Sequence, residues 1–364
     1  MAYNSRFMAR AIAIAEKGRG KCSPNPFVGA VIVKNGNIIG EGWTQGYGKD
    51  HAEINALRKA GAEAAGAEIY VTLEPCSHYG KTPPCALALI AAGIKTVYVG
   101  IIDPNPLVSG KGIALLEDAG IEVHTGYMQE KINRQLEFFL CRINQQRPFV
   151  SWKTALSLDG KYAASDGSSK WITGISARKL VHRLRSEYDV ILTGIGTVKA
   201  DDPMLNNRVY NTHVQPCRVV LDPHLEIDPA SKICSTAKDQ SSLIYYRKGL
   251  KASAKIKALA ALGVVTVAVK GAGDSLDLNS VLRDLHERGY YSVLVEAGSK
   301  LSSAFFGSGL VDKCYIFLGN MLLGNGRSML SELPLNNIHA AIRLEHRRFR
   351  ILGEDILIEG YIDR

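Results

Sequence analysis

The sequence predicts two α/β domains in one chain, each a sheet layered with helices, meeting near residue 146. Three observations predict this. At 364 residues the chain exceeds the roughly 100–200 residues that one domain usually holds. On both sides of a polar stretch, 144–147, short apolar strands alternate with helical segments, the order that builds layered sheets. Hydrophobic residues make up 46% and charged residues 22%, a globular balance that excludes a disordered chain. The expected domains are 1–146 and 147–364.

In the first half, Phe7, Met8, Ala11, Ile12 and Ala15 recur at helical spacing over 5–17, and Gly18 stops the pattern. VGAVIVKNGNIIGEG sets apolar runs on either side of Asn35-Gly36, a hairpin signal. HAEINALRKAGA reads as a helix, AEIYVTLEPC as a strand ending at a proline, CALALIAAG as a helix closed by Gly93, and IKTVYVGIIDPNP as a strand. GIALLEDAG is a helix, IEVHTG a strand, and EKINRQLEFFLCRINQQRP one helix running into Pro148. A hairpin followed by strand–helix alternation predicts a mixed sheet.

The second half begins with a strand, FVSWKTALSLDG, then a helix, SARKLVHRLRSE, and a strand, YDVILTG. CRVVLD, SLIYYR, VVTVAVK and SVLVEAG are short apolar strands, with LNSVLRDLHERG and KLSSAFFGSG as helices among them. VDKCYIFLGNMLLG and EDILIEGYI add further strands to what is expected to be a large sheet.

No run of about 18 apolar residues occurs, so no membrane span is expected. The N-terminal stretch breaks into Glu16 and Lys17 without a small-residue cleavage site and does not read as a signal peptide. Seven thinly spread cysteines argue against a disulfide framework and for a reducing cytoplasm. The net charge of +9 divides into +2 before residue 146 and +7 after it. No long block of like charge marks a nucleic-acid binder, and small anionic substrates fit the balance.

The sharpest chemical signal is His51-Ala52-Glu53, followed by Glu74-Pro75-Cys76 and then Cys85. One imidazole and two thiolates suit tetrahedral zinc with one position open. The H-x-E…P-C order is the signature of zinc nucleobase deaminases, so one zinc per chain is expected on His51, Cys76 and Cys85. Zinc brings the pKa of a bound water from 15.7 toward about 7. Glu53, beside a ligand, is the candidate that takes the water's proton and hands it to a leaving amine.

PNPFVGAVIV, HAEINAL, TLEPCSHYGKTPPC and DPNPLVSGKG together resemble the deaminase half of the bifunctional riboflavin-biosynthesis deaminase–reductases, over about residues 5–145. Eight residues separate Cys76 from Cys85, where the usual deaminase pattern has two, and this longer spacing is similar to that family's. The resemblance implies a cytidine-deaminase-like α/β/α domain, with substrate contacts at Asn25, His78, Lys81, Asp103 and Asn105. The prolines around Asn25 and in Asp103-Pro104-Asn105-Pro106 also suit a turn and a rigid loop. The chain departs from the family pattern at Thr44, in GWTQGYG, where relatives carry His, which puts a substrate contact there in question.

No GxGxxG follows the first strand of the second half, so a standard dinucleotide fold is not expected. Gly194 and Gly196 stand at a strand end, and Gly298 and Ser299 between a strand and a helix. Such turns suit a phosphate at a helix N-terminus, and equally an ordinary strand–helix connection. SLDGK, SSKWITG, ADDPMLNNR and VEAGSKLSSAFF resemble the reductase half of the same family, over about residues 148–364. That implies a dihydrofolate-reductase-like α/β fold that uses NADPH. Carried over by motif, Ala155, Trp171, Thr197, Asp201 and Asp222 line the NADPH site, with Gly298, Ser299, Lys300, Leu301 and Ser302 at the pyrophosphate. Ser169, Arg185, Leu205, Arg208 and Glu296 face the sugar substrate, and Lys153 is a further candidate. Arg185 and Arg208 are planar donors suited to a ribose phosphate. With two anionic ligands expected here, the +7 would help to capture them.

The reading is therefore one chain that catalyses two consecutive steps of riboflavin synthesis. Zinc-dependent hydrolytic deamination of 2,5-diamino-6-(5-phosphoribosylamino)pyrimidin-4-one precedes NADPH-dependent reduction of the ribosyl group to ribityl. Phosphorylated pyrimidines are the expected partners, nucleic acid and membrane are not, and the resemblance implies a homo-oligomer, dimer or tetramer. The rival is a nucleoside or tRNA deaminase with a non-catalytic nucleotide-binding accessory domain. The PCSHYGKTPPC spacing and the whole second half argue against it.

Overall fold

The computed structural model describes residues 3–79, 83–106, 108–209 and 215–363. The chain divides into two compact units, Met1–Gln146 and Arg147–Arg364. No helix among the described residues is long and apolar enough to cross a membrane.

In the first unit, α1 (Ser5–Ala15) is capped by the Asn4 side chain, which accepts from the Arg6 N–H at 3.1 Å, and buries Phe7, Met8, Ala11, Ile14 and Ala15 as one face. Strands β1 (Gly29–Lys34) and β2 (Asn37–Trp43) form the hairpin, turning at Asn35 and Gly36. Both turn residues have positive φ, 53° and 77°, as the tight hairpin turn demands. There follow α2 (Ala52–Ala60), β3 (Glu68–Leu73), α3 (Cys85–Ala91), β4 (Thr96–Ile101), α4 (Lys111–Asp118), β5 (Glu122–Thr125), α5 (Gln129–Gln135) and α6 (Glu137–Gln145). The last two replace the single helix expected there, because Leu136 leaves helical geometry at φ −98°, ψ 18°.

The sheet order is β2-β1-β3-β4-β5. β1 is antiparallel to β2 and β3, and β3, β4 and β5 are parallel, so the sheet is mixed. Adjacent parallel strands place their carboxyl ends on one edge, where an α/β sheet forms its ligand crevice. Here the turns after β3 and β4 carry Cys76 and Asp103. Helix α2 brings His51 to the same unit by lying unusually close to β2. A Cβ on Gly42 would sit 2.0 Å from the Ala52 carbonyl oxygen, so this crossing requires glycine.

The second unit contains β6 (Phe149–Ser157), β7 (Lys161–Ala163), α7 (Ile175–Glu187), β8 (Val190–Gly194), α8 (Ile195–Asp201), β9 (Cys217–Leu221), α9 (Lys232–Ser235), β10 (Ser242–Arg247), α10 (Ser253–Ala261) and β11 (Val265–Val269). A small hairpin, β12 (Gly271–Ala272) with β13 (Ser275–Leu276), precedes α11 (Leu278–Glu287), β14 (Ser292–Val295), α12 (Ser299–Gly307), β15 (Lys313–Gly319), β16 (Arg327–Ser328), β17 (Leu344–Leu352) and β18 (Asp355–Ile362). The large sheet runs β11-β10-β9-β8-β14-β6-β15-β18-β17. Neighbours from β11 to β15 are parallel, and β18 runs against both of its neighbours. The central strands are buried on both faces and therefore read as continuous apolar runs, such as Val190–Leu192 and Val219–Leu221. Their side chains meet Val281, Leu282, Leu285 and Phe305 from α11 and α12 in the core.

Eight elements of this unit are not expected from the sequence: the short β7, α8, α9, β12, β13 and β16, and the longer α10 and β17. Helix α10 buries Leu259 alone, so it has little amphipathic stripe to read. Strand β17 interleaves arginines with Phe349 and Ile351 and is mostly exposed, which hides its period of two.

Gly42→Ala is expected to force α2 off β2 and to destabilise the first unit by about 1–3 kcal/mol, as overpacking does. Because His51 caps α2, zinc affinity should fall with it. Denaturant midpoints and zinc titration of the two proteins check this, and an unchanged affinity would contradict the role given to the close crossing.

Candidate active sites

In the first unit, three elements converge on one point. His51 is the N-cap of α2, Cys76 lies just past the end of β3, and Cys85 opens α3. His51 Nδ1 is 3.4 Å from Cys85 Sγ and 3.6 Å from Cys76 Sγ, and the three ligand atoms lie within 4.8 Å of one another. Tetrahedral zinc, with Zn–S near 2.3 Å and Zn–N near 2.0 Å, holds its nitrogen and sulfur ligands about 3.5 Å apart. The donor set and its spacing fit zinc. Of the two thiols, Cys76 is the one held down: it accepts from the Cys85 thiol, then from His51 and the Cys85 backbone N–H at 3.3 Å.

Glu53, in the first turn of α2, is buried beside these ligands. Burial pushes its carboxyl up to about 7, against the pull of His51. A carboxyl poised there both takes and gives a proton near neutral pH. Two polar residues for which the sequence implies no role hold the site. The Asn55 amide donates to the carbonyls of Trp43, Asp50 and His51 at 3.1, 3.2 and 3.0 Å, which fixes the approach to His51. Glu74 is buried, and its carboxylate accepts backbone N–H bonds from Asp103, Gly110, Gly112 and Ile113.

Among the residues expected at the pyrimidine, Asp103 is buried and its Oδ1 accepts from the Asn105 N–H at 2.8 Å. Burial pushes its carboxyl up to about 6, and the neighbouring Glu74 and Cys76 add to this. Asn105 is half-buried in the same turn, and His78 is exposed two residues beyond Cys76. Asn25 is half-buried, its N–H donating to the Cys22 carbonyl at 2.8 Å. Lys81 lies outside the described residues. Thr44 is buried, and its hydroxyl oxygen accepts from the Val28 N–H at 3.1 Å, so this side chain closes the base of the hairpin.

The second unit has a cleft of about 870 Å³ at the carboxyl ends of its parallel strands. Of the residues expected at NADPH, Ala155, Thr197, Asp201, Gly298, Ser299, Lys300 and Leu301 line it. Of those expected at the sugar, Lys153, Ser169 and Glu296 line it. Gly298 is the N-cap of α12, and a Cβ there would meet nothing within 4 Å. An open backbone at the first turn of a nine-residue helix fits a pyrophosphate, so the cleft fits the dinucleotide.

Other expected residues are placed differently. Asp222 is fully buried behind the cleft and its carboxylate accepts from the Glu226 and Ile227 N–H groups at 2.9 and 2.8 Å. Ser302 is buried and its hydroxyl accepts from the Trp152 indole at 2.9 Å. Trp171 is 64% exposed, with the Arg178 guanidinium 4.1 Å above its ring. Leu205 is buried at φ 45°, and Arg208 is exposed, its N–H donating to His182 Nδ1. Arg185 does not offer its fork to solvent: it pairs with both oxygens of Glu296 at 2.7 and 3.0 Å. Lys153 Nζ stands 3.6 Å from the same carboxylate. Burial alone would raise the Glu296 carboxyl, but Arg185 and Lys153 outweigh it and hold it at about 2. His224, Asp274 and Arg327 also line the cleft and were not expected.

The cations that line the cleft, Lys153, Lys300 and Arg327, share its wall with the carboxylates Asp201, Glu226, Asp274, Glu296 and Glu332.

Comparison with known proteins finds relatives of both units. Residues 148–358 match the RibD C-terminal domain, and residues 1–101 match the cytidine and deoxycytidylate deaminase zinc-binding region. The chain is 40% identical to riboflavin biosynthesis protein RibD of Aquifex aeolicus, covering 98% of this chain and 97% of that protein. It is 38% identical to RibD of Escherichia coli, covering 97% of each. The solved structure of Acinetobacter baumannii RibD superposes with a TM-score of 0.89 at 38% identity over 99% of both chains. A diaminohydroxyphosphoribosylaminopyrimidine deaminase/5-amino-6-(5-phosphoribosylamino)uracil reductase from Thermotoga maritima gives 0.85 at 36% identity, over 99% of this chain and 98% of that one. The match to a reductase-type domain across the second unit disfavours the rival of a deaminase with a non-catalytic accessory domain.

Removing the Glu296 charge strands two buried cations, so Glu296→Ala is expected to cost about 3–5 kcal/mol. The wild-type carboxyl is held at about 2, below the unfolded value near 4.3, so its contribution is present above that value and lost as pH falls toward 2. Stability of the wild type should therefore fall by about 3 kcal/mol more than that of Glu296→Gln between pH 5 and 2. Equal acid sensitivity in denaturant titrations would refute the assignment.

Proposed function

Since the chain belongs to the RibD family of riboflavin biosynthesis proteins, we propose that its two units deaminate 2,5-diamino-6-(5-phosphoribosylamino)pyrimidin-4-one and then reduce the ribosyl group of the product to ribityl. The observation that carries this reading is the meeting of His51, Cys76 and Cys85 at zinc spacing with Glu53 buried beside them, in one chain with a dinucleotide-sized cleft.

Zinc on His51, Cys76 and Cys85 supplies the Lewis acid that makes water a nucleophile at neutral pH. Glu53 moves the proton from the attacking water to the departing amine, and its carboxyl near 7 suits both transfers. Asp103, Asn105, Asn25 and His78 read the pyrimidine, and Lys81 meets the phosphate.

NADPH supplies the hydride for C1′ of the opened sugar. Ala155, Thr197, Asp201 and the first turn of α12 from Gly298 to Leu301 hold it, while Asp222, Ser302 and Trp171 shape the surrounding backbone and rim. Ser169, Lys153 and Glu296 face the sugar, and Leu205 with Arg208 completes the substrate side. Arg185 orients Glu296, which leaves Arg208 as the guanidinium for the phosphate. The working assembly is a homo-oligomer, dimer or tetramer; Phe349 and Ile351 on β17, 65% and 82% exposed, are apolar surface that a second copy would cover. None of the seven cysteines forms a disulfide, which suits a cytoplasmic setting.

Glu53→Gln should retain one zinc per chain and lose deamination by roughly 10²–10⁴-fold, while NADPH oxidation with the deaminated pyrimidine continues. Chelation of zinc should abolish ammonia release and spare the reduction. Metal analysis with ammonia and NADPH assays reads each outcome, and full deamination by the variant would remove Glu53 from its role.

A further inference from the structure

Glu74 stands between the last residue of β3 and the Pro75-Cys76 pair that carries a zinc ligand. Its side chain is 3% exposed, yet it makes no ion pair with a cation among the described residues. Every bond given for its carboxylate comes from the backbone of one segment. Oε2 accepts from the Asp103 N–H at 3.2 Å and the Gly110 N–H at 3.0 Å. Oε1 accepts from the Gly112 N–H at 2.9 Å and the Ile113 N–H at 3.4 Å. The carboxylate thus clamps the start of the turn after β4 and the first turn of α4 at once. The approach is tight: a Cβ on Gly112 would lie 1.9 Å from the Pro75 carbonyl oxygen and 3.2 Å from Glu74 Oε1.

Two neighbouring parts of the site are joined by this clamp. One is the Cys76 turn, which is also tied to α3 by the Ala86 N–H on the Cys76 carbonyl at 3.2 Å. The other is the turn that holds Asp103 and Asn105, themselves linked at 2.8 Å. We infer that Glu74 is a positioning residue for deamination: it sets the distance between the metal ligands and the pair that reads the pyrimidine. This rests on the proposed roles of zinc and of Asp103 and Asn105.

The chemistry requires a carboxylate. Both oxygens accept two N–H groups, and an anion at the first turn of α4 is favoured by the helix dipole. A glutamine of the same shape would turn an NH2 group toward two of those donors. That frees one half of the clamp without opening a cavity. The substrate turn then shifts relative to the zinc ligands, and displacements on that scale reduce activity by roughly 10- to 100-fold.

The test is Glu74→Gln in the full-length zinc-loaded protein. The expected result is a KM for the diaminopyrimidine raised roughly tenfold, with one zinc retained per chain and reduction of the deaminated pyrimidine unchanged. A role confined to stability would lower the melting temperature and leave KM alone, and that outcome overturns the inference, as does a loss of activity that merely tracks lost zinc. Hydrogen exchange on the wild type is a second measurement, independent of how the variant folds. The amides of Gly110, Gly112 and Ile113 should exchange as slowly as those of β3, and rapid exchange there overturns the clamp. Failure of the wild type itself to deaminate the pyrimidine would instead count against the proposed function.

Discussion

The first active site depends on backbone approaching backbone more closely than any side chain allows. His51, Cys76 and Cys85 belong to different elements, and a metal tolerates little error in where they meet. Gly42 lets α2, with His51 at its head, lie against β2. Gly112 lets α4 press onto the Pro75 turn beside Cys76. At each point a Cβ would stand within about 2 Å of a carbonyl oxygen, far inside van der Waals contact. The second unit uses the same device at Gly319, whose Cβ would meet the Ile172 carbonyl at 1.8 Å. The sheet supplies the scaffold, but the contacts at Gly42 and Gly112 give the first site its dimensions.

Within those frames the two units tune one residue type in opposite directions. Glu53 is buried where desolvation dominates, and its carboxyl rises to about 7. Glu296 is buried between Arg185 and Lys153, and its carboxyl falls to about 2. Among the protein's own groups, desolvation dominates at Glu53, while two cations outweigh it at Glu296. The difference follows from neighbours at long sequence separation. Arg185 lies 111 residues before Glu296 in the chain.

That separation also explains what the sequence could reveal. The zinc ligands and Glu53 are legible because the chemistry fixes a short ordered motif, and its flanking strand and helix patterns place it at element ends. Most of the longer regular elements were legible for the same local reason, but the short β7, α8, α9, β12, β13 and β16 were not, nor were α10 and β17, whose faces carry no clear period. Partnerships across the fold were not. The sequence could not show that Glu296 occupies the fork of Arg185, nor that Asp222 and Ser302 have the Glu226 N–H and the Trp152 indole as partners. Asn55 and Glu74 lie inside the legible motifs, but their roles could not be read there, since their partners are backbone groups that any sequence supplies.

Where the fold puts the net charge was equally out of reach of the sequence. A chain of +9, with most of the excess in its second half, suggests a basic cleft for anionic ligands. The cleft wall instead carries more carboxylates than cations, and its most buried cation, Lys153, already faces Glu296. Part of the excess lies elsewhere, on the exposed β17, at Arg347, Arg348 and Arg350. Directed backbone groups at the open first turn of α12 at Gly298 suit an anion in the cleft without any excess of cations on its wall. Such donors act over a few ångströms and are fixed by the fold, so they position a pyrophosphate without drawing it in from a distance. A lysine-rich wall would do the reverse: it would raise the rate of encounter and leave the orientation of the nicotinamide, on which hydride transfer depends, undetermined.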